Sequence, residues 1–294
     1  MEILDGKGLA KVIKEELAGQ TETFVANGQR PPHLAAVLVG ENPASQSYVR
    51  NKIRSCEKAG IKSSLIKLEE SISQQALLDV VHDLNNQEDL DGFIVQLPLP
   101  DHIDEQEINL AIDYRKDVDG FHPVNFGRMV QGLDAFLPAT PMGILEMLKR
   151  YKIETSGKHA VVIGRSNIVG KPISILLSRK ADPGNATVTL AHSRTADLGG
   201  LLRQADIIIA AIGIANFVKA DMVKEGAVVI DVGINRVPDS SKKSGSRLVG
   251  DVDFEAVSPK CSYITPVPGG VGPMTVSSLL MNTIRAYKKE VYPE

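Results

Sequence analysis

Residues 159–177 read H-A-V-V-I-G-R-S-N-I-V-G-K-P-I-S-I-L-L, an apolar run, a glycine-bearing turn and a helix-period segment in direct succession. The predicted strand His159–Ile163 contains the apolar run A-V-V-I, which is typical of a parallel strand that is covered on both faces. The turn from Gly164 to Gly170 is close to the G-x-G-x-x-G fingerprint of dinucleotide-binding loops, with Ser166 in place of the second glycine. We expect a phosphate at the start of the following helix, where backbone N–H groups and the helix dipole favour an anion.

The end of the next predicted strand, Ala186–Ala191, distinguishes between the two nicotinamide cofactors. Residues 192–194 are His-Ser-Arg, without the Asp or Glu that would bind a ribose 2′-hydroxyl. Guanidinium and hydroxyl donors at Arg165, Ser193 and Arg194 match the oxygens of a 2′-phosphate instead. The pattern therefore favours NADP over NAD, whereas the glycine turn alone would fit a structural βα turn equally well.

Apolar runs of strand length alternate with helix-period segments in both halves of the chain. In the first half this pattern predicts strands at Leu34–Val39, Ile61–Leu68 and Gly92–Leu97 and helices at Pro43–Ala59 and Ser73–Gln87. In the second half it predicts strands at His159–Ile163, Ala186–Ala191, Asp206–Ile212 and Ala227–Val232, and helices at Pro141–Tyr151, from Val169, at Ala196–Gln204 and at Val276–Lys289.

This alternation predicts an α/β fold class: two three-layer α/β domains flanking a cleft, the second a Rossmann-like dinucleotide-binding domain. The proline-bearing, aperiodic stretch Leu133–Pro141 is the expected crossing between them. We expect domains at residues 1–139 and 140–271, with a C-terminal helix in 272–294 that packs back on the first domain.

Bulk composition excludes several function classes. A net charge of −3 and a pI near 6.1 provide no general field that would attract nucleic acid or an anionic membrane, so we expect neither as a partner. The longest apolar run, Ile207–Ala215, is far shorter than the roughly 18 residues of a membrane span. Two cysteines, Cys56 and Cys261, fit a reducing compartment, and a cytoplasmic protein is expected.

The predicted helix Pro43–Ala59 carries a candidate catalytic pair. Tyr48 and Lys52 are four residues apart, so both side chains project from one face of the helix. Gln96 closes the third apolar strand, which would bring it to the same carboxyl edge of the sheet, where α/β proteins bind ligands. A glutamine in that position needs hydrogen-bond partners, which a lysine amine or a heterocycle would supply. An incidental pair on a solvated face is the alternative interpretation.

Two further segments carry polar or glycine-rich patterns. Lys116–Pro123 contains Asp117, Asp119 and His122, whose spacing matches no calcium or zinc pattern, so no metal is expected and His122 is interpreted as a structural hydrogen-bonding residue. The stretch Thr265–Thr275, rich in glycine and proline, predicts a stiff loop without helix that brings backbone donors against a flat ligand. A mere linker is the alternative interpretation.

Five of these motifs occur together and in one order along nearly the whole chain. They are S-Y-V-R-N-K at Ser47–Lys52, V-Q-L-P-L-P at Val95–Pro100, K-D-V-D-G-F-H-P at Lys116–Pro123, G-R-S-N-I-V-G-K-P at Gly164–Pro172 and P-G-G-V-G-P-M-T at Pro268–Thr275. In this set the chain resembles the bifunctional methylenetetrahydrofolate dehydrogenase/cyclohydrolases.

The resemblance implies two reactions of one-carbon metabolism. NADP⁺ takes hydride from 5,10-methylenetetrahydrofolate, and water then opens the 5,10-methenyl cation to 10-formyltetrahydrofolate. It further implies Lys52 as the central catalytic group, Gln96 as the residue that holds it, Tyr48 stacked on the aminobenzoate ring and Asp119 accepting hydrogen bonds from the pterin. The implied folate contacts also include Leu97, Pro98, Pro268, Gly269, Gly270, Val271 and Gly272. The implied NADP contacts are Gly164, Arg165, Ser166, Ser193 and Ile234, and the implied assembly is a homodimer.

Two alternatives remain open from the residues alone. The chain could be an NADP-dependent dehydrogenase with a weak hydrolytic step, since dehydrogenation depends mainly on positioning of the two substrates. It could also be a non-catalytic nucleotide-binding protein of the same fold, because a fold does not fix a function. The presence of Lys52, Gln96 and Asp119 favours an enzyme over the second alternative.

Overall fold

In the computed structural model, residues 1–242 and 245–293 are described. The strands are β1 (Glu2–Ile3), β2 (His33–Val39), β3 (Lys62–Leu68), β4 (Gly92–Val95), β5 (His159–Ile163), β6 (Thr187–Ala191), β7 (Ile207–Ala210), β8 (Ala227–Asp231), β9 (Asn235–Pro238), β10 (Ser246–Val249) and β11 (Cys261–Ile264). The α-helices are α1 (Gly6–Ala26), α2 (Pro43–Lys58), α3 (Gln74–Asn86), α4 (Glu105–Ala111), α5 (Pro123–Val130), α6 (Ala139–Arg150), α7 (Gly170–Ser178), α8 (Leu198–Leu202), α9 (Phe254–Val257) and α10 (Val271–Tyr287).

The chain forms two compact units, and neither is continuous in sequence. The first unit consists of Lys11–Ala139 and Val276–Glu294, and the second of Met1–Ala10 and Thr140–Thr275. The opening ten residues thus group with the second half of the chain. The boundaries expected after residues 139 and 271 stay a prediction for the functional domains.

The first unit is built on a parallel sheet with the order β3-β2-β4. All seven residues of the central strand β2 are buried, as an apolar run in a covered parallel sheet requires. The chain leaves β2 towards β3 on one side and later returns as β4 on the other, so the strand order reverses at β2. Ligands of open α/β sheets bind at such a reversal, beside the carboxyl ends of the strands.

The second unit is built on a six-stranded parallel sheet with the order β1-β11-β8-β7-β5-β6. Here the order reverses at β5, which lies between β6 and β7. The turn after β5 begins at Gly164, and the turn after β7 begins at Ala211, so both leave the sheet at this reversal. The expected α/β class with a Rossmann-like second half is confirmed.

Local signals set the ends of α2. The Asn42 side chain accepts a hydrogen bond from the Ser45 N–H at 3.2 Å, which satisfies one of the free donors in the first turn of the helix. At the other end Gly60 has a φ of +68°, the left-handed conformation that commonly terminates a helix. The predicted helix at Pro43–Ala59 is therefore confirmed to within one residue.

The glycine- and proline-rich segment Thr265–Thr275 differs from its expectation. Helix α10 already begins at Val271, five residues before the predicted start at Val276, so the prediction of a helix-free loop was wrong. Pro273 lies in the first turn, where the missing N–H of proline has no helical partner to lose. Val271 and Gly272 are accordingly helical residues, and only the residues before them form the loop.

Candidate active site

Lys52 is buried on α2, with 5% of its surface exposed. Its ammonium Nζ donates a hydrogen bond to Gln96 Oε1 at 3.2 Å. The same Nζ lies 4.7 Å from the centre of the Tyr48 ring, within range of a cation–π interaction. The structure thus brings together the lysine, the glutamine and the tyrosine that the sequence singled out.

Gln96 is itself held in one orientation. Its backbone N–H donates to Val37 O at 2.9 Å, which continues the β2–β4 pairing by one residue. Its side-chain Nε2 donates to Leu97 O at 2.7 Å, so the amide oxygen is left to face Lys52. Leu97 and Pro98 follow directly, with Leu97 partly buried and Pro98 exposed.

Charge and burial compete at Lys52. Burial lowers the pKa of Lys52 below its usual value, and the negative charge of Asp119 opposes that shift. Burial likewise raises the pKa of Asp119, while the positive charge of Lys52 opposes the rise. The neighbouring Cys56 thiol stays neutral, because burial raises its pKa to about 12. The site therefore contains a lysine and a carboxylate that each help to keep the other ionised.

The turn that carries Asp119 is built around Asp117, which is 2% exposed. The two carboxylate oxygens of Asp117 accept hydrogen bonds from the backbone N–H groups of residues 120–122 at 2.7 to 3.3 Å, and from Asn125 Nδ2 at 3.0 Å. Burial nevertheless raises the pKa of Asp117 to about 7. In the sequence, Asp117 was considered only as one of three possible metal ligands. In the structure its carboxylate fixes the turn that carries Asp119.

His122 caps the helix that follows the turn. Its Nδ1 accepts a hydrogen bond from the Val124 N–H at 3.1 Å at the start of α5. This agrees with the interpretation of His122 as a structural residue. Throughout residues 1–242 and 245–293, no three His, Cys, Asp or Glu side chains are grouped as a metal site would require.

The dinucleotide turn has the close packing that its glycines suggest. Gly164 has a φ of +113°, and a Cβ there would lie 2.1 Å from Ala211 O. A Cβ on Gly170 would lie 1.9 Å from Gly164 O, so neither position accepts a larger residue. The Ser166 hydroxyl oxygen accepts hydrogen bonds from the N–H groups of Val169 and Gly170 at 3.1 and 3.4 Å. Ser166 therefore stabilises the turn that leads into α7, besides replacing a fingerprint glycine.

The predicted phosphate donors lie on two adjacent turns of the second unit. Ile163 of β5 pairs in register with Ala191 of β6, so the turns that carry Arg165 and Ser193 leave the sheet side by side. Both side chains are exposed. The phosphates of a dinucleotide would fit here, because the glycine turn and the start of α7 offer backbone N–H groups, and Arg165 and Ser193 offer side-chain donors.

The remaining predicted contacts also lie in the second unit. Ile234 follows β8 and is 62% exposed, so its side chain is open to contact with a ligand. The Pro268–Gly270 segment is tied down by the Lys7 N–H, which donates to Gly269 O at 2.8 Å. Gly6 leaves no room for a side chain, since a Cβ there would lie 1.8 Å from Gly270 O. A folate contact for Pro268–Gly272 stays a prediction.

Sequence reasoning missed two buried carboxylates in the second unit, Asp231 and Asp251, which are 3% and 0% exposed. Burial raises the pKa of Asp231 to about 6, although three backbone N–H groups oppose the shift. Each of the two residues has a glycine close to it in the sequence. Gly233 comes two residues after Asp231, and Gly250 directly precedes Asp251. An acidic residue next to a glycine was the signal that the sequence offered. It was missed because Asp231 and Asp251, which pair in the structure, are 20 residues apart in the chain.

Fold and site together define a two-unit α/β enzyme with a buried lysine, Lys52, in one unit and a glycine turn of the dinucleotide-binding type in the other. Residues 4–119 match the catalytic domain of tetrahydrofolate dehydrogenase/cyclohydrolase, and residues 138–291 match the NAD(P)-binding domain of the same family. The chain belongs to the tetrahydrofolate dehydrogenase/cyclohydrolase family.

Individual relatives agree with that membership over their whole length. The chain is 61% identical to the bifunctional protein FolD of Bacteroides fragilis over 292 residues, which covers 99% of this chain and 100% of the relative. The crystal structure of the bifunctional FolD enzyme from Campylobacter jejuni is 50% identical, with a TM-score of 0.92 and coverage of 99% of each chain. The Trypanosoma brucei enzyme, crystallised with NADP cofactor and inhibitor, is 38% identical with a TM-score of 0.92, covering 99% of this chain and 98% of that one.

No helix in the described part of the chain has both the length and the apolar character needed to cross a membrane.

Proposed function

We propose that the chain is a bifunctional enzyme that oxidises 5,10-methylenetetrahydrofolate with NADP⁺ and hydrolyses the resulting 5,10-methenyl cation to 10-formyltetrahydrofolate. The observation that carries this proposal is the environment of Lys52: a buried ammonium in contact with one amide oxygen and one aromatic ring. Burial lowers the pKa of Lys52, which brings its amine closer to the range where a lysine serves as an acid or base in catalysis.

In the hydrolytic step, Lys52 would transfer a proton from the attacking water to the departing folate nitrogen. Water adds to the methenyl carbon, a C–O bond forms, and the bond from that carbon to one folate nitrogen breaks to leave the formyl group. Neutral Lys52 Nζ accepts a proton from the attacking water and returns it to the departing nitrogen. One proton is released to solvent over the whole step. The positive charge of the bound methenyl group lowers the pKa of Lys52 further by like-charge repulsion, which favours the neutral amine at the moment it is needed.

Neighbouring residues of the first unit would orient the substrate. Tyr48 offers a ring face for the aminobenzoate, and Asp119 offers a carboxylate to the N–H donors of the pterin. Burial raises the pKa of Asp119, and the positive charge of Lys52 opposes that rise, which favours the ionised form that can only accept hydrogen bonds. Gln96 fixes the position of Nζ, and Leu97 and Pro98 line the approach to it.

The residues that would hold NADP are Gly164, Arg165, Ser166, Ser193 and Ile234. The glycine turn and the start of α7 suit a pyrophosphate, and the exposed Arg165 and Ser193 suit a 2′-phosphate. When bound, the cofactor supplies the acceptor for the hydride of the substrate methylene. The second unit contributes binding and orientation, which alone accounts for a large part of the acceleration of such a transfer.

The deciding experiment mixes purified protein with 5,10-methylenetetrahydrofolate and either NADP⁺ or NAD⁺. NADPH formation, methenyl absorbance and formyl product are followed separately. We expect NADPH to form, and formyl product to accumulate from added methenyltetrahydrofolate even without cofactor. Absence of reduced cofactor with both nucleotides would refute the dehydrogenase assignment, and a hydrolysis rate equal to that in buffer would leave a dehydrogenase only.

We further propose that the enzyme acts in the cytoplasm as a homodimer paired through the second unit. Strand β6 lies at one end of the six-stranded sheet and exposes 36% of Leu190, and such an edge readily pairs with another copy. Both cysteines are free and buried, as suits a reducing compartment. Light scattering of the purified protein distinguishes a dimer from a monomer of 31.7 kDa.

A further inference from the structure

Asp251 links two segments that follow neighbouring strands of the second unit. Its Oδ2 accepts hydrogen bonds from the backbone N–H groups of Ile212 and Gly213 at 2.7 and 2.9 Å, just beyond β7. Its Oδ1 accepts a hydrogen bond from Asn235 Nδ2 at 2.9 Å, just beyond the end of β8. One fully buried carboxylate therefore sets the separation between these two segments.

Asp231 in turn holds Asp251. Its Oδ1 accepts from the N–H groups of Gly233 and Asp251, and its Oδ2 from that of Val252, each at 2.9 Å. Asp231 ends β8, so its backbone is already fixed by the sheet. The rigid strand thereby positions the backbone of residue 251, and the side chain of residue 251 positions the two turns.

Two glycines make this arrangement sterically possible. A Cβ on Gly250 would lie 1.8 Å from Asp231 Oδ2, and a Cβ on Gly233 would lie 2.2 Å from Asp251 Oδ1. Each carboxylate is thus packed against backbone that has no side chain. Such close approach, with every acceptor satisfied by a donor, leaves the segments little freedom to shift.

These segments surround the exposed Ile234. It stands between Gly233 and Asn235, both of which are hydrogen-bonded to the carboxylate pair. On the other side, the turn after β7 is in close contact with Gly164 of the dinucleotide turn. Asp251 therefore connects the Ile234 segment directly to the backbone that borders the dinucleotide turn.

We infer that Asp251, supported by Asp231, is a positioning residue for NADP binding: it acts through the Ile212–Gly213 turn and Asn235 to hold Ile234 where the cofactor needs it. The inference rests on the proposed contact of Ile234 with the cofactor. It assigns to the pair a role in cofactor affinity that is separate from the chemistry at Lys52.

The test exchanges the two partners of one hydrogen bond. Asn235→Asp places a second carboxylate against Asp251 Oδ1 and removes the donor. We expect the KM for NADP⁺ to rise about tenfold or more, because a charge-assisted hydrogen bond is replaced by repulsion between like charges. Hydrolysis of methenyltetrahydrofolate, measured without cofactor, should stay within about twofold of wild type, since Asn235 and Asp251 belong to the second unit and Lys52 to the first.

The double variant Asn235→Asp with Asp251→Asn restores a donor and an acceptor in exchanged positions. The amide introduced at position 251 would accept from the N–H groups of Ile212 and Gly213 through its oxygen and donate to the new carboxylate through its nitrogen. We expect the double variant to recover most of the lost affinity for NADP⁺, a rescue that general destabilisation would not produce. An unchanged KM in the single variant, or a double variant no better than the single, overturns the inference.

If Asn235→Asp does not fold, the inference is tested with Asn235→Ala instead. It deletes the hydrogen bond without adding charge, and a KM for NADP⁺ raised about threefold or more with unchanged hydrolysis supports the inference. An unchanged KM overturns it. Wild-type protein without any NADP-dependent activity would instead refute the proposed function, so the two failures are distinguishable.

Discussion

The two units use the carboxyl edge of a parallel sheet in different ways. In the first unit the edge presents side-chain chemistry, with Lys52, Gln96 and Asp119 contributing an amine, an amide and a carboxylate. In the second unit the edge presents backbone, shaped by glycines such as Gly164 and held from behind by Asp251. In the first unit Asp117 fixes a turn, whereas Asp119 acts on the pKa of Lys52. In the second unit Asp231 and Asp251 both fix backbone segments. We therefore expect the first unit to be sensitive to changes of single side chains, and the second to changes in the shape of its backbone turns.

The largest effect is expected for Lys52→Met. Loss of the amine removes the acid–base group, so hydrolysis of methenyltetrahydrofolate should fall by about 10²- to 10⁴-fold, at least as severely as dehydrogenation. Both rates are measured on the same preparation. Lys58→Met, at the exposed end of the same helix, is the matched control and should keep both activities. Undiminished hydrolysis in Lys52→Met would remove the lysine from its role.

A smaller effect is expected for Arg165→Ala in the second unit. Removal of one exposed guanidinium should raise the KM for NADP⁺ about 10- to 100-fold through the lost contact with the 2′-phosphate. The KM for NAD⁺ should hardly change, because backbone groups hold the shared pyrophosphate. Arg203→Ala, an exposed arginine elsewhere in the unit, controls for general charge. Equal losses with both nucleotides would contradict the 2′-phosphate contact.

A change in pH dependence should follow from Asp119→Asn. Asp119 raises the pKa of Lys52, so its neutral replacement should move the ionisation of Lys52 to lower pH. The shift is measured as displacement of the corresponding limb in the pH profile of kcat for hydrolysis. Glu57→Gln is the comparison, because this carboxylate is exposed on the same helix and should leave the limb in place. A limb that stays in place or moves upward in Asp119→Asn would show that the two groups are not coupled.

The smallest effect concerns stability rather than catalysis. Tyr292 donates its hydroxyl to Asn125 Oδ1 at 2.6 Å, and Asn125 in turn donates to Asp117. Tyr292→Phe should lower the free energy of unfolding by about 1 kcal/mol, the usual loss for one such hydrogen bond. Tyr287→Phe should cost less, since its hydroxyl is 3.5 Å from Gln29 Oε1 at the surface. Denaturant unfolding of both variants measures the two losses, and a loss for Tyr292→Phe no larger than that for Tyr287→Phe would contradict this order.

The same difference between the units explains what the sequence could predict. Helix α2 was predictable because Asn42 and Gly60 mark its ends, and Tyr48 and Lys52 repeat at helical spacing. Gln96 was predictable because a polar residue at the end of a buried strand requires a partner. Side-chain chemistry of this kind leaves residues of recognisable type at recognisable spacing.

Backbone positioning leaves a weaker trace. Asp251 was missed because its partners follow β7 and β8, far from it in the chain, and are mostly backbone N–H groups that carry no residue identity. The early start of α10 was missed because Gly272 and Pro273 were interpreted as helix breakers, although proline fits the first turn of a helix. Strands β1 and β11 were not predicted, since short segments have no periodicity to detect.

The interleaved chain path has a consequence for synthesis. Glu2 and Ile3 complete the large sheet only by pairing with Tyr263 and Ile264. The first unit likewise depends on Asn282, which donates hydrogen bonds to Val118 O and Leu137 O. On the ribosome, neither unit can therefore close before residues beyond 260 have been made, although units normally fold in order of emergence. Shortened nascent chains would leave strand edges and apolar surface uncovered. If the chain were cut between its two halves, each half would lack a segment that completes its unit.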